Sequence, residues 1–186
     1  MSPPPPLDLA RREAGFDALY RSDPDPWDFE TSAYERAKYD ATLAALRARR
    51  FTHAIEIGCS IGLLTQRLAD VAERVTGVDV SSVALERARE RVPTARFVHA
   101  DVPDGWPEGP YDLVVLSEVL YFLEPDEIRR LARLVRRDTV PGAPASRWTG
   151  SANATCRPTA TGRPRSFTRS SRGRARPTER HATAWT

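Results

Sequence analysis

A chain of 186 residues, 40% of them hydrophobic and 28% charged, is long enough for one domain with its own core. No run of about 18 apolar residues occurs, and Met1-Ser2-Pro3-Pro4-Pro5-Pro6 has neither the basic start nor the apolar stretch of a secretory leader, so a soluble cytoplasmic protein with no membrane partner is expected. Cys59 and Cys156 form no Cys-x-x-Cys and no histidine cluster exists, which argues against a disulfide framework and against a metal site.

The formal net charge of +3 conceals a division. Residues 1–140 carry 19 Lys and Arg against 24 Asp and Glu, whereas residues 141–186 carry nine arginines and one acid, Glu179. From Pro141 onward there is no Leu, Ile, Val, Met or Tyr. Such a segment has too little apolar surface to offset an ordering entropy of roughly 1–2 kcal/mol per residue, so 143–186 is expected to be disordered and to supply no core element. The run from Arg163 to Arg180 could serve as a nucleic-acid arm, but a solvated charge run is the favoured reading and a nucleic-acid partner is not expected. The preceding part is rich in Ala, Arg, Val and Leu, as a GC-rich gene gives. Reading such a gene out of frame yields the Pro/Arg/Thr/Ser mixture of the tail, and a frameshift near Pro141 to Ala145 is the expectation.

Taken in chain order, a Pro-rich, disordered stretch of 1–15 is followed by a short helix over Phe16 to Tyr20 and a turn-rich loop, Asp23-Pro24-Asp25-Pro26-Trp27. A longer amphipathic helix is predicted from Thr31 to Arg49, with Tyr39, Leu43 and Leu46 at helical spacing and arginines at its C-terminal end. Apolar runs at His53 to Ile57, Val75 to Val80, Arg96 to His99 and Asp112 to Leu116 read as buried strands. The helical patterns between and after them set Leu64, Leu68 and Val71 on one face, then Leu85, Ala88 and Val92, then Ile128, Leu131 and Val135. Strict alternation of strand and helix with right-handed crossovers predicts a doubly wound, Rossmann-like α/β sheet over 16–142.

Ligands of such sheets bind beyond the carboxyl ends of the strands, so the polar residues falling there are the candidates. Glu56-Ile57-Gly58-Cys59-Ser60-Ile61-Gly62 follows the first strand. Gly58 permits a tight turn and close approach of a ligand, and Gly62 opens a helix whose N–H groups attract anions; a plain strand-to-helix turn is the alternative. Asp79 ends the second strand, 21 residues after Gly58, where an acid can accept both hydroxyls of a ribose or else cap a helix. Asp101 follows the third strand and can accept from an adenine amine, with Val102 against the ring. Glu118, after the fourth, can hold a cation or is an exposed acid at a helix start.

These segments, with Val78-Asp79-Val80-Ser81, His99-Ala100-Asp101-Val102 and Tyr111 through Tyr121, resemble the successive motifs of class I S-adenosylmethionine-dependent methyltransferases. Asp25-Pro26-Trp27, Ser32-Ala33-Tyr34-Glu35-Arg36-Ala37-Lys38-Tyr39 and Gly58-Cys59-Ser60-Ile61-Gly62 resemble the nodulation protein S type, which N-methylates a deacetylated sugar amine of chitooligosaccharide signals. The resemblance covers about 16–142. It implies S-adenosyl-L-methionine as cofactor, with Gly58 and Gly62 beside the methionine moiety, Asp79 on the ribose and Asp101 on the adenine amine. Trp27, Tyr34 and Arg36 would form an N-terminal cover, and Glu56, Cys59, Val80, Val102, Ser117 and Glu118 would complete the cofactor set. The partner implied is a small-molecule or oligosaccharide amine.

Ser60 stands where a dinucleotide-binding turn has its middle glycine, which disfavours an NAD-dependent oxidoreductase. An activated methyl donor leaves the protein mainly the task of alignment, so no catalytic base need stand out; Glu118, Tyr121, His99, Asp23 and Asp25 are candidates for substrate contact. The fold normally continues past Val140-Pro141-Gly142 with a fifth strand, a helix and a hairpin. With the C-terminal strands missing or replaced, a four-stranded sheet with an uncovered edge, marginal stability and an inactive cofactor-binding remnant form the alternative expectation.

Overall fold

A computed structural model describes residues 9–46, 49–141 and 145–148. The Pro-rich start 1–8, Arg47, the tail beyond Trp148 with Cys156, and the arginine run 163–180 lie outside the described residues. Two helices, α1 (Leu9–Ser22) and α2 (Ala33–Leu46), precede an alternating series: β1 (Phe51–Ile57), α3 (Leu63–Leu68), β2 (Ala72–Asp79), α4 (Ser82–Arg91), β3 (Arg96–His99), β4 (Leu113–Ser117), α5 (Pro125–Asp138) and β5 (Ala145–Trp148). The strands lie in the order β3-β2-β1-β4-β5, and every pairing is parallel.

Alternation along the strands divides the core into two layers. Ala54, Val75, Leu113 and Val115 face one side, where Leu43 and Leu46 of α2 and Leu64 and Leu68 of α3 cover them. Ile55, Ile57, Val78 and Val114 face the other, against Leu131 of α5 and the loop residues Trp106 and Tyr111. Successive side chains of a strand point to opposite faces, and a parallel sheet must be covered on both, so near-continuous apolar runs are what this arrangement requires. Among the expected helix faces, Leu85, Ala88 and Leu131 are buried, whereas Ile128 lies at the surface and Val71 falls beyond α3, where its carbonyl accepts from Phe51 N–H. On α4, Ser81 is the N-cap, its hydroxyl accepting from Ala84 N–H. Pro125 and the Glu124 N–H bond to Glu127 start α5.

Element ends shift by up to three residues from expectation, and two departures are larger. The helix expected to begin at Phe16 begins at Leu9, so 9–15 is helical rather than disordered. Arg12, Phe16 and Tyr20 recur every four residues and share one face; Tyr20 is 2% exposed, and Phe16 packs edge-on against Phe122 at 5.0 Å. The second departure is β5. Ala145 to Trp148 pair with Val114 to Ser117, so the sheet has five strands and the edge of β4 is not left open. A parallel ladder is made by backbone groups, and a stretch without Leu, Ile or Val can therefore supply it.

Candidate functional site

The order of the sheet reverses between β1 and β4: the chain goes from β1 outward through β2 to β3, then returns to the other side of β1. At such a switch point the loops leaving adjacent strands diverge in opposite directions and leave a crevice. Here the crevice is a cavity of about 330 Å³, lined by Gly58, Asp79, Asp101 and Glu118 from the ends of four successive strands.

The turn after β1 is shaped by contact with the turn after β4. Gly58 has φ +77°, and a Cβ there would lie 2.3 Å from the Ser117 carbonyl oxygen. Both backbone conformation and space thus demand glycine. Its N–H and that of Cys59 donate to the Val78 carbonyl, which ties the turn to β2 and leaves the Gly58 backbone on the cavity wall.

Asp79 is held by two backbone donors: Ser60 N–H to Oδ2 at 2.8 Å and Ser81 N–H to Oδ1 at 2.9 Å. Each carboxylate oxygen retains further acceptor capacity, and the residue lines the cavity. Burial pushes the carboxyl up, with the N–H groups of Ser81, Ser60 and Val80 opposing. The cap of α4 falls to Ser81, which separates the two roles open for Asp79 in the sequence. Asp101 also lines the cavity, with Val80 and Val102 beside it. Burial raises its carboxyl, offset by the Arg12 guanidinium, whose Nε lies 3.2 Å from Asp101 Oδ2.

The front wall comes from ahead of the sheet. Arg12, Phe16 and Tyr20 of α1 line the cavity with Trp27, Phe29 and Tyr34. Of these, Trp27 and Tyr34 were singled out from the sequence; Arg12, Phe16, Tyr20 and Phe29 were not, although the four-residue spacing in α1 was a signal for three of them. Trp27 packs on Tyr20 at 5.4 Å and on Phe29 at 5.7 Å between ring centroids. The Tyr20 and Ser60 hydroxyls share a hydrogen bond. Asp17, on the next face of α1, accepts from the hydroxyls of Ser81 and Ser82 and from Val83 N–H, pinning the helix to the start of α4. Burial raises the Asp17 carboxyl, but these donors and Arg21 outweigh it and hold it below the usual range.

Beyond Ser117, which also lines the cavity, Glu118 takes φ +52° and pairs with Lys38 of α2 at 2.7 Å. Lys38, 6% exposed, was not singled out from the sequence, because its partner lies 80 residues away.

Several sequence candidates stand elsewhere. Glu56 is 1% exposed and accepts from the Thr65 hydroxyl at 2.6 Å. Strand alternation turns it into the α2–α3 layer, where burial pushes its carboxyl up to about 8. With the buried Cys59 it borders only a minor void of about 30 Å³ behind the turn, and burial raises the Cys59 thiol as well. Gly62 does not line the main cavity: its N–H donates to the Cys59 carbonyl, and a Cβ there would meet Ala88 at 3.2 Å. The reason for glycine at this position is packing on α4 and φ +83°, not an available anion-binding N–H. Arg36 donates to the carbonyls of Thr31 and Glu30, outside the lining. Asp25 accepts from the N–H groups of Phe29 and Glu30, and Asp23 from that of Asp25; both build the Trp27 loop. His99 is bonded to the Val80 carbonyl and pairs with Glu13, away from the cavity. Among the described residues no group of His, Cys, Asp or Glu converges as a metal site would, and no helix is long and apolar enough to cross a membrane.

The profile of the family described as Nodulation protein S (NodS) matches residues 13–140, from α1 to the end of α5. This chain belongs to that family. Nodulation protein S of Sinorhizobium fredii is 35% identical over 104 residues, covering 54% of this chain and 48% of the relative. The protein of that name from Bradyrhizobium diazoefficiens is 38% identical over 105 residues, covering 53% and 49%. The chain thus spans about half the length of the curated relatives it matches. Among solved structures, the N-methyltransferase NodS of Bradyrhizobium japonicum WM9, in complex with S-adenosyl-L-homocysteine, superposes with a TM-score of 0.65 at 27% identity, over 72% of this chain and 70% of the other. The NodS-family chain therefore has the Rossmann-like methyltransferase fold expected from its strand and helix pattern, with β5 lying beyond the matched segment.

Proposed function

We propose that this NodS-family domain binds S-adenosyl-L-methionine in the 330 Å³ cavity and transfers its methyl group to an amine, with an oligosaccharide amine of the nodulation-factor type as acceptor. The observation that carries the reading is the convergence of Gly58, Asp79 and Asp101 on one cavity at the switch point. The residues suit an adenosyl group: Asp79 retains acceptor positions for a pair of hydroxyls, Asp101 can accept from an exocyclic amine, and Val80 and Val102 offer apolar surface to a ring. A small-molecule site of this size, mostly apolar with a few fixed polar groups, is the usual form of a cofactor pocket.

When bound, the cofactor supplies an electrophilic methyl on a sulfonium. The protein's part is alignment. Gly58 and Ser117 shape the two turns that meet at the cavity, and Asp79, braced by backbone N–H groups, would hold the hydroxyls of the cofactor. Tyr20, Trp27 and Phe29 exclude water from the front. Two alternatives, a dinucleotide oxidoreductase and a nucleic-acid arm, gain no support from the family match or from the shape of the cavity. Titration calorimetry with S-adenosylhomocysteine tests the reading. A saturable single site is expected, weakened on the order of 10- to 100-fold in Asp79→Asn, since hydrogen bonds to a charged group are worth roughly 1.5–3 kcal/mol. Absence of heat from folded protein refutes it.

A further inference from the structure

Arg12 is the cation that α1 places on the cavity wall, and its guanidinium is held from three sides. Nη2 donates to Glu127 Oε1 of α5 at 2.6 Å, Nη1 to the Phe122 carbonyl at 3.4 Å, and Nε stands 3.2 Å from Asp101 Oδ2. That Nε is buried and hydrogen-bonds to none of the described residues. Toward Asp101 the guanidinium therefore supplies charge without occupying the lone pairs of the carboxylate. Phe16, one turn along α1, packs edge-on against Phe122 and holds the helix at that spot. The charged groups acting on Asp101 are Arg12 of α1, Glu127 of α5 and Asp104 of its own loop; Glu127 is itself paired with Arg12, and Asp104 with Arg130. Burial and the two acids push the Asp101 carboxyl up, whereas Arg12 and the Val102 N–H draw it down. An arginine suits this task because it keeps its charge at every working pH. The charge state of Asp101 decides what it recognises: ionised, it only accepts, which matches an exocyclic amine; protonated, it presents an O–H, which matches a ring carbonyl.

We propose that Arg12 is a positioning residue that holds Asp101 as a pure acceptor on the cavity wall, and that the pair thereby selects a 6-aminopurine nucleoside over its 6-oxo counterpart. The inference rests on the S-adenosylmethionine reading and deepens it by naming the residue behind the choice of base. Arg12 acts through Asp101: the anchors at Glu127 and Phe122 fix where its charge sits, and that charge keeps a half-buried carboxyl from taking up a proton. A site built to pair with an amine rejects the analogue lacking it strongly, because the buried acceptor is then left facing a carbonyl oxygen.

The full chain is titrated with S-adenosylhomocysteine and with S-inosylhomocysteine, its 6-oxo counterpart, from about pH 5 to 8. The unaltered protein should bind the amine roughly tenfold or more tightly near pH 8, and the preference should shrink as pH falls and Asp101 takes up a proton. Arg12→Met leaves burial, Glu127 and Asp104 opposed by the Val102 N–H alone, so the same loss should set in about one pH unit higher or more, and Arg12→Lys should restore most of the preference. Asp101→Asn should show a small preference that does not vary with pH, and adding Arg12→Met to it should leave that ratio unmoved. If Arg12 merely ties α1 to α5, Arg12→Met weakens both nucleosides together and keeps their ratio; that result, or equal affinity of the two for the unaltered protein, overturns the proposal. Carboxyl-carbon NMR of Asp101, recorded without any nucleoside, gives a second readout. Its titration midpoint should rise in Arg12→Met and return most of the way in Arg12→Lys, and an unmoved midpoint likewise overturns the proposal. Failure of S-adenosylhomocysteine to bind overturns the cofactor reading instead, and the NMR titration still decides whether Arg12 holds the carboxylate.

Discussion

Replacing Glu56 by Gln should remove one component of the pH dependence of stability and so reverse, across one definite window, which of the two proteins is the more stable. Glu56 is 1% exposed, with the Thr65 hydroxyl donating to it, and burial raises its carboxyl from 4.5 to about 8 in the folded protein. Between those values the folded chain holds a proton that the unfolded chain has released. Stability contributed by this group is therefore complete below about 4.5, declines as pH rises, and is gone above about 8. With about 1.4 kcal/mol for each tenfold change in proton affinity, the loss is on the order of 5 kcal/mol. Gln cannot ionise, and its amide oxygen can still accept from Thr65, but its NH₂ is left without a partner at a cost of about 1–3 kcal/mol. Glu56→Gln should thus be the less stable protein near pH 5 and the more stable one above pH 8. Asp101 is also raised by burial, and its slope is common to both proteins, whereas the charge of Asp79 adds to the raising of Glu56, so the difference reports Glu56 together with that coupling. Urea denaturation at intervals from pH 5 to 9 measures it. Parallel stability curves for the two proteins would refute the reasoning.

Gly58→Ala should destabilise more than Gly62→Ala. Both incur roughly 1–2 kcal/mol for a left-handed residue with a side chain, but only at Gly58 does the new Cβ strike a backbone carbonyl, at 2.3 Å; equal shifts in Tm would contradict this. Asp17→Ala removes three acceptor contacts at the start of α4 and should cost about 1–2 kcal/mol near neutral pH, read by denaturant titration. Because the Asp17 carboxyl is held below its usual range, that stability is present above about pH 4 and lost as pH falls further. The gap between wild type and Asp17→Ala should therefore narrow in acid, and a gap that widens there would oppose the assignment.

The inner strands were legible because parallel strands buried on both faces are near-continuous apolar runs; β3 at Arg96–His99 coincides with its expected span but, as an edge strand, is not buried. Gly58, Asp79 and Asp101 were legible as cavity residues for a related reason: a strand end is visible in sequence, and in this topology strand ends meet. Glu56 belongs to the same motif but points the other way, a matter of odd or even position along β1 that motif spacing does not convey. Lys38 and Glu118 become partners only through the fold, as do Arg12 and Asp101. Arg12 stands only six residues after the prolines at 3–6, yet it begins a helical stripe that continues through Phe16 and Tyr20. The fifth strand left no apolar signal because its pairing with β4 is a matter of backbone.

The anchoring of α1 on α4 sets an order of assembly. During synthesis α1 is made before its dock: Ser81 and Ser82, which hold Asp17, follow 64 and 65 residues later. At the roughly 5–20 residues per second of translation, the nascent helix waits several seconds for its dock, with Phe16 and Tyr20 unprotected in the meantime. The front wall of the cavity thus precedes its dock in the chain and can close only once Ser81 and Ser82 have been made.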